Sequence, residues 1–118
     1  MTLKLAPEIT VKDLAARLQS EDAFVLLDVR EPWEVQSARI HDPRLIVVPM
    51  STLGTTGLGA MPTEAKSKDA EIVVLCHHGS RSLQVASWLA SQGWTRVFSV
   101  AGGIDAYASQ VDPSVGSY

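Results

Sequence analysis

The chain has one cysteine, Cys76, among 118 residues. A single thiol cannot close an intramolecular disulfide, and it cannot build a multi-cysteine zinc or iron–sulfur site. Positive charge is not in surplus either: ten Lys and Arg against thirteen Asp and Glu leave a net charge of −3. General nucleic-acid binding needs the opposite balance. Long apolar runs are missing. Leu45–Val48 and Ile72–Cys76 are clean, but a membrane-crossing helix needs ~20 such residues. Met1 to Glu8 contains no apolar stretch of the kind that marks a secretory signal. There is no internal repeat and no low-complexity tract. The expectation is a reducing, cytoplasmic setting with Cys76 as a free thiol, and neither nucleic acid nor membrane as partner.

What is present suits a folded domain. Apolar residues make up 46% and charged residues 19%, which excludes a disordered chain. The length falls within the ~100–150 residues of one domain. A single domain over 1–118 is therefore expected, with a core over about 9–108 and a loosely held C-terminal tail over 109–118.

Strands and helices alternate along the chain. Thr10 can cap a helix in which Val11, Leu14, Ala15 and Leu18 share a face, ending near Ser20. Phe24–Val29 is a short, nearly continuous apolar run, as a strand covered on both faces requires. Pro32 suits the first turn of a short helix. Leu45–Val48 is a second strand candidate, stopped by Pro49. The stretch Gly54–Pro62, with three glycines and little periodicity, reads as a loop. Ile72–Leu75 is the clearest strand. Ser82–Gln92 is a helix with Leu83, Ala86, Leu89 and Ala90 on one face, stopped by Gly93. Arg96–Val100 is a fourth strand, and a short helix follows Ala101-Gly102-Gly103 to about Gln110. This alternation predicts an α/β domain with a mainly parallel sheet, in which ligands bind beyond the carboxyl ends of strands.

The most informative stretch is Leu75-Cys76-His77-His78-Gly79-Ser80-Arg81-Ser82, which joins the clearest strand to the clearest helix. Loop amides and a helix N-terminus can face one concavity there and favour the thiolate of Cys76. Gly79 permits the backbone angles that a tight ring of amides requires. Arg81 offers a permanent charge and a planar fork of donors for sulfonate-like oxygens. Residues 72–104 contain no Asp or Glu but include Arg81 and Arg96. The loop is thus expected in a locally positive setting.

Cys76-x-x-Gly79-x-Arg81-Ser82 between strand and helix resembles the active-site loop of the rhodanese (sulfurtransferase) family. Leu27-Asp28-Val29-Arg30-Glu31 is similar to the family's Asp-x-Arg-Glu segment after its early strand. Gly93-Trp94, with Val97 and Val100, resembles the approach to its last strand. Ala101-Gly102-Gly103-Ile104 resembles its Gly-Gly turn before the final helix. The order matches from about Ile9 to Ala108. One departure is Ala38-Arg39-Ile40-His41-Asp42-Pro43, where many relatives carry Gly-His-Ile-x-Gly-Ala.

The resemblance implies a rhodanese-like α/β fold, a mainly parallel central sheet flanked by helices, without cofactor. It implies a sulfurtransferase in which Cys76 takes a sulfane sulfur from a small anion such as thiosulfate. Cys76 would hold that sulfur as a persulfide and pass it to cyanide, a thiol or a protein. His77, His78, Gly79, Ser80, Arg81 and Ser82 are the candidate substrate-binding residues around it. Asp28 and Arg30 are expected to give structural support through charge-assisted hydrogen bonds.

Plainer readings apply to several residues. His77 and His78 could join Cys76 on a metal, but adjacent residues rarely converge on one tetrahedral ion. No metal is expected, and the two are read as shaping the mouth of the loop. His41 is read as a surface histidine. Trp33, Trp88 and Trp94 are read as packing residues. Ser80 and Ser82 lack a Ser–His–Asp arrangement, and Ser82 is read as a helix-start residue. Three rival functions remain. Cysteine-dependent phosphatases and arsenate reductases place five residues between Cys and Arg, whereas four separate Cys76 from Arg81. A binding module of the same fold would not need Cys76. A persulfide relay would use Cys76 with little activity on thiosulfate.

Overall fold

The computed structural model describes residues 4–118. Its strands are β1 (Glu8–Ile9), β2 (Val25–Asp28), β3 (Leu45–Val47), β4 (Ile72–Leu75) and β5 (Val97–Val100). All pair in parallel, in the order β1-β5-β4-β2-β3. Every residue of β2 and β4 is buried, as expected of apolar runs in a sheet covered on both faces.

The two faces can be read off by alternation. Leu27, Val29, Ile72, Val74 and Cys76 point into one core cluster. Leu26, Val73, Leu75 and Val100 point into the other. The first cluster is closed by α3 (Met50–Thr56) and α4 (Ser80–Ser91), the second by α1 (Val11–Gln19) and α5 (Gly103–Gln110). The α/β class and the parallel sheet are those the sequence pattern predicts. α1 starts as expected: the Thr10 hydroxyl accepts from the Asp13 amide at 3.0 Å. Pro32 opens α2 (Pro32–Ser37). Among the described residues, no helix is long and apolar enough to cross a membrane.

Three expectations need correction, and one strand has no signal in the sequence. Gly54–Pro62 is not a loop. Met50–Thr56 is α3, and short 3-10 turns follow at Gly57–Ala60 and Thr63–Ala65. Gly54 and the threonines are weak helix formers, but Leu53 is buried and Met50 and Leu58 pack against the first cluster. The Met50 amide also donates to the Val29 carbonyl at 2.8 Å, fixing the start of α3 beside the end of β2. Tertiary burial outweighs local propensity here. Second, α4 begins at Ser80, not Ser82. The strand without a signal is β1, a two-residue edge strand, too short for a periodic pattern. Third, the tail is not loose at its end. The Val115 carbonyl accepts from the Arg39 amide at 2.9 Å, and Tyr118 is held by Arg30 and Glu34.

β2 and β4 are neighbours, yet their connections leave in opposite directions, to β3 and to β5. The chain therefore splays apart beyond Asp28 and Leu75. That crevice is where an open parallel sheet places its ligand site.

Candidate active site

Cys76 is the first residue after β4, and its side chain is buried. The loop folds back so that the amides of Gly79 and Ser82 donate to Sγ at 3.1 and 3.2 Å. The turn requires Gly79 at φ +100°, and a Cβ there would approach the Gly102 amide nitrogen to 2.9 Å. Ser82 lies inside α4 and is fully buried, so it does not start the helix. The Cys76 thiol donates to its Oγ at 3.3 Å, the Ser82 hydroxyl donates to the Gly79 carbonyl at 3.1 Å, and Ser99 Oγ lies 2.8 Å away. Two amide dipoles beside the N-terminus of α4 thus face the sulfur, an arrangement that favours negative charge there.

The loop is also held from α5. The Ile104 amide donates to the Cys76 carbonyl at 2.9 Å, and the Asp105 amide donates to the His77 carbonyl at 3.0 Å. That contact leaves no room for a side chain at Gly103, whose φ is +61°. The Gly-Gly turn thus serves the cysteine loop directly.

Arg81 does not point free into the crevice. Its guanidinium donates to both carboxylate oxygens of Glu34 on α2, at 2.8 and 2.7 Å. Glu34 also accepts from the Glu31 amide and from the Tyr118 hydroxyl. Its side chain is only 6% exposed. The Arg81 hydrogen bonds outweigh burial and hold the Glu34 carboxyl down at about 2. In return they raise Arg81 above its ordinary value. The expectation of a locally positive loop is therefore corrected: Glu34 comes in beside Arg81, and Asp105 beside His78.

Asp28 and Arg30 form a fully buried pair. Arg30 Nε and Nη2 donate to the two Asp28 oxygens at 2.9 and 2.7 Å. Arg30 Nη1 reaches the Glu34 carbonyl and the Tyr118 hydroxyl oxygen, each at 3.2 Å. The Tyr118 ring lies on His77, with centroids 3.9 Å apart and planes 15° from parallel. Burial, then the charge of His78, push His77 below the ordinary imidazole value. Ser80, His78 and His41 are exposed. Trp94 is buried and its indole donates to the Ala65 carbonyl. Trp33 is 63% exposed, edge-on to Tyr118.

The crevice thus gathers Cys76, His77, Gly79, Arg81 and Ser82, with Arg30 bracing Glu34 from behind. Sequence reasoning missed Glu34, Tyr118, Asp105 and Ser99. Glu34 had a local signal, as the third residue of a helix opened by Pro32. Its pairing with Arg81, 47 residues away, had none.

The rhodanese-like domain family matches residues 10–110. The chain belongs to this family. A sulfurtransferase of Allochromatium vinosum is 32% identical over 108 residues, covering 92% of this chain and 94% of that protein. A chloroplastic rhodanese-like/PpiC domain-containing protein of Arabidopsis thaliana is 39% identical over 114 residues, covering 94% of this chain. This chain spans only 37% of that relative's length. The structure of a human single-domain sulfurtransferase superposes with a TM-score of 0.71 at 25% identity, over 89% of this chain and 97% of that one. The rhodanese-like fold and a place among sulfurtransferase relatives are therefore shown, and the Cys76 loop occupies the crevice of that fold.

Proposed function

We propose that this rhodanese-like chain is a sulfurtransferase that carries a sulfane sulfur on Cys76. The Cys76 thiolate attacks the outer sulfur of thiosulfate or a similar donor. The donor's sulfur–sulfur bond breaks, and sulfite leaves with the bonding pair. The new persulfide keeps one negative charge on its outer sulfur. An acceptor nucleophile (cyanide, a thiol or a protein thiolate) then attacks that sulfur, and Cys76 departs as the thiolate.

The observation that carries this reading is the pair of amides, from Gly79 and Ser82, that point at Cys76 Sγ. Preorganised donors of this kind stabilise the anion at both ends of the cycle. His77, His78 and Ser80 surround the approach, and Arg81, paired with Glu34, sets the loop's position and presents its outer edge to the donor. The four-residue spacing favours a single sulfur over a phosphoryl group, whose three equatorial oxygens must all be received.

The test is intact mass. Incubation with thiosulfate should add the mass of one sulfur atom, and cyanide should remove it. Cys76→Ser should show neither change and stay folded, because a hydroxyl is a poor nucleophile there. No gain in the wild-type chain, or turnover in the serine variant, overturns the assignment. Efficient hydrolysis of aryl phosphates that depends on Cys76 would favour the phosphatase class instead.

A further inference from the structure

We propose that His77, His78 and Asp105 form a binding site for one divalent transition cation of the zinc class at the mouth of the cysteine loop. The adjacency of the two histidines argued against a shared ion as long as no third donor was in sight. The fold supplies one. Asp105 sits in the first turn of α5, and the three side chains bring one ligand atom each to within 4.8 Å of one another. His78 Nδ1 lies 3.7 Å from Asp105 Oδ2. Ligand atoms on a tetrahedral zinc, with bonds of ~2.0–2.2 Å, stand about 3.4 Å apart. The side chains of His78 and Asp105 are 65% and 54% exposed, so both have room to turn toward His77; His78 must swing off its stack on the His77 ring to aim a nitrogen at a shared ion.

The chemistry of the set is specific. Two neutral imidazoles and one carboxylate match zinc and its neighbours, and suit calcium or magnesium poorly. The positions of the donors are built in. The Asp105 amide donates to the His77 carbonyl at 3.0 Å, so the backbone pins the two segments together. The His77 ring is backed by Tyr118 on one side and lies 3.8 Å from the His78 ring, centroid to centroid. Cys76 is not among the donors, because its sulfur is turned into the loop toward Gly79 and Ser82. Three ligands leave a coordination position open to water or a small anion, next in sequence to the nucleophile. As a plain surface ion pair, His78 and Asp105 would contribute little.

The experiment titrates zinc ions into the full chain carrying Cys76→Ser, followed by calorimetry. This background removes the thiolate, so a negative result leaves the sulfur-transfer reading standing. One zinc should bind per chain with micromolar affinity. His78→Ala and Asp105→Asn should each weaken it at least tenfold, and His41→Ala should not. Asp105→Asn keeps the backbone amide that holds His77, and circular dichroism checks that each variant is folded. Absence of one-to-one binding, equal affinity in the His78 and Asp105 variants, or loss of binding in His41→Ala overturns the proposal.

Discussion

Arg81 and Glu34 meet as a two-pronged ion pair across the crevice, with one guanidinium nitrogen on each carboxylate oxygen. Arg81 stands one residue before Ser82, whose amide faces Cys76, so the pair anchors the cradle to α2. Arg81→Ala and Glu34→Gln should each lower kcat/KM for thiosulfate by about tenfold to a hundredfold, the ~1.5–3 kcal/mol of a charge-assisted hydrogen bond. Arg81→Lys should recover only part, since an ammonium lacks the planar fork. The double variant should be little worse than either single one, because both remove the same anchor. Steady-state kinetics on the four variants decide this, and additive losses would separate the roles.

The same pair sets an acid limit on stability. The Glu34 carboxyl falls from an ordinary 4.5 to about 2 in the folded chain. A depressed carboxyl stabilises the fold above its unfolded value and loses that contribution as pH falls toward its folded value. The contribution should therefore be complete above about pH 5 and fade between about 4.5 and 2. Its size is about 2–3 kcal/mol, taking ~1.4 per unit and a discount for the partial exposure of Arg81. Urea unfolding at pH 6, 4 and 3 should show wild-type stability dropping through this window and Glu34→Gln changing less. Parallel pH profiles would rule the linkage out.

At Gly103 the backbone of α5 lies against the carbonyls of Cys76 and His77. Gly103→Ala must either break the Ile104 and Asp105 hydrogen bonds or bend the cysteine loop. A loss of about 3 kcal/mol or more is expected, combining left-handed strain with a backbone clash. Denaturant midpoints and persulfide formation should fall together. A stable, active alanine variant would show that the contact is not required.

The stack of Tyr118 on His77 has its own readout. Tyr118→Ala uncovers the imidazole, so the His77 titration, followed by NMR, should move up toward the ordinary 6.5. Tyr118→Phe keeps the stack and gives up only the hydroxyl bonds to Glu34 and Arg30. It should leave His77 nearly unmoved while lowering stability by about 1 kcal/mol. Equal titration curves in all three chains would detach Tyr118 from His77.

Local signals sufficed for much of this molecule. The capped periodicity of Val11–Gln19, the apolar run before Asp28, the run before Cys76 and the glycines on either side of β5 are short-range patterns. Each depends on a helical or alternating period, or on a residue that tolerates unusual backbone angles. They were enough to place Cys76 between a buried strand and a helix. Other features have no local cause. α3 forms around weak helix formers because Leu53 finds a core to fill. Glu34 meets Arg81, Asp105 meets His78 and Tyr118 covers His77 across separations of 27 to 47 residues. The ordering of the parallel sheet sets the end of β4 between those of β2 and β5, which brings α2 and α5 to the cysteine loop, and Arg30 and Glu34 hold Tyr118 over it. Charge and ring stacking act through space, and the sequence orders residues only along the chain.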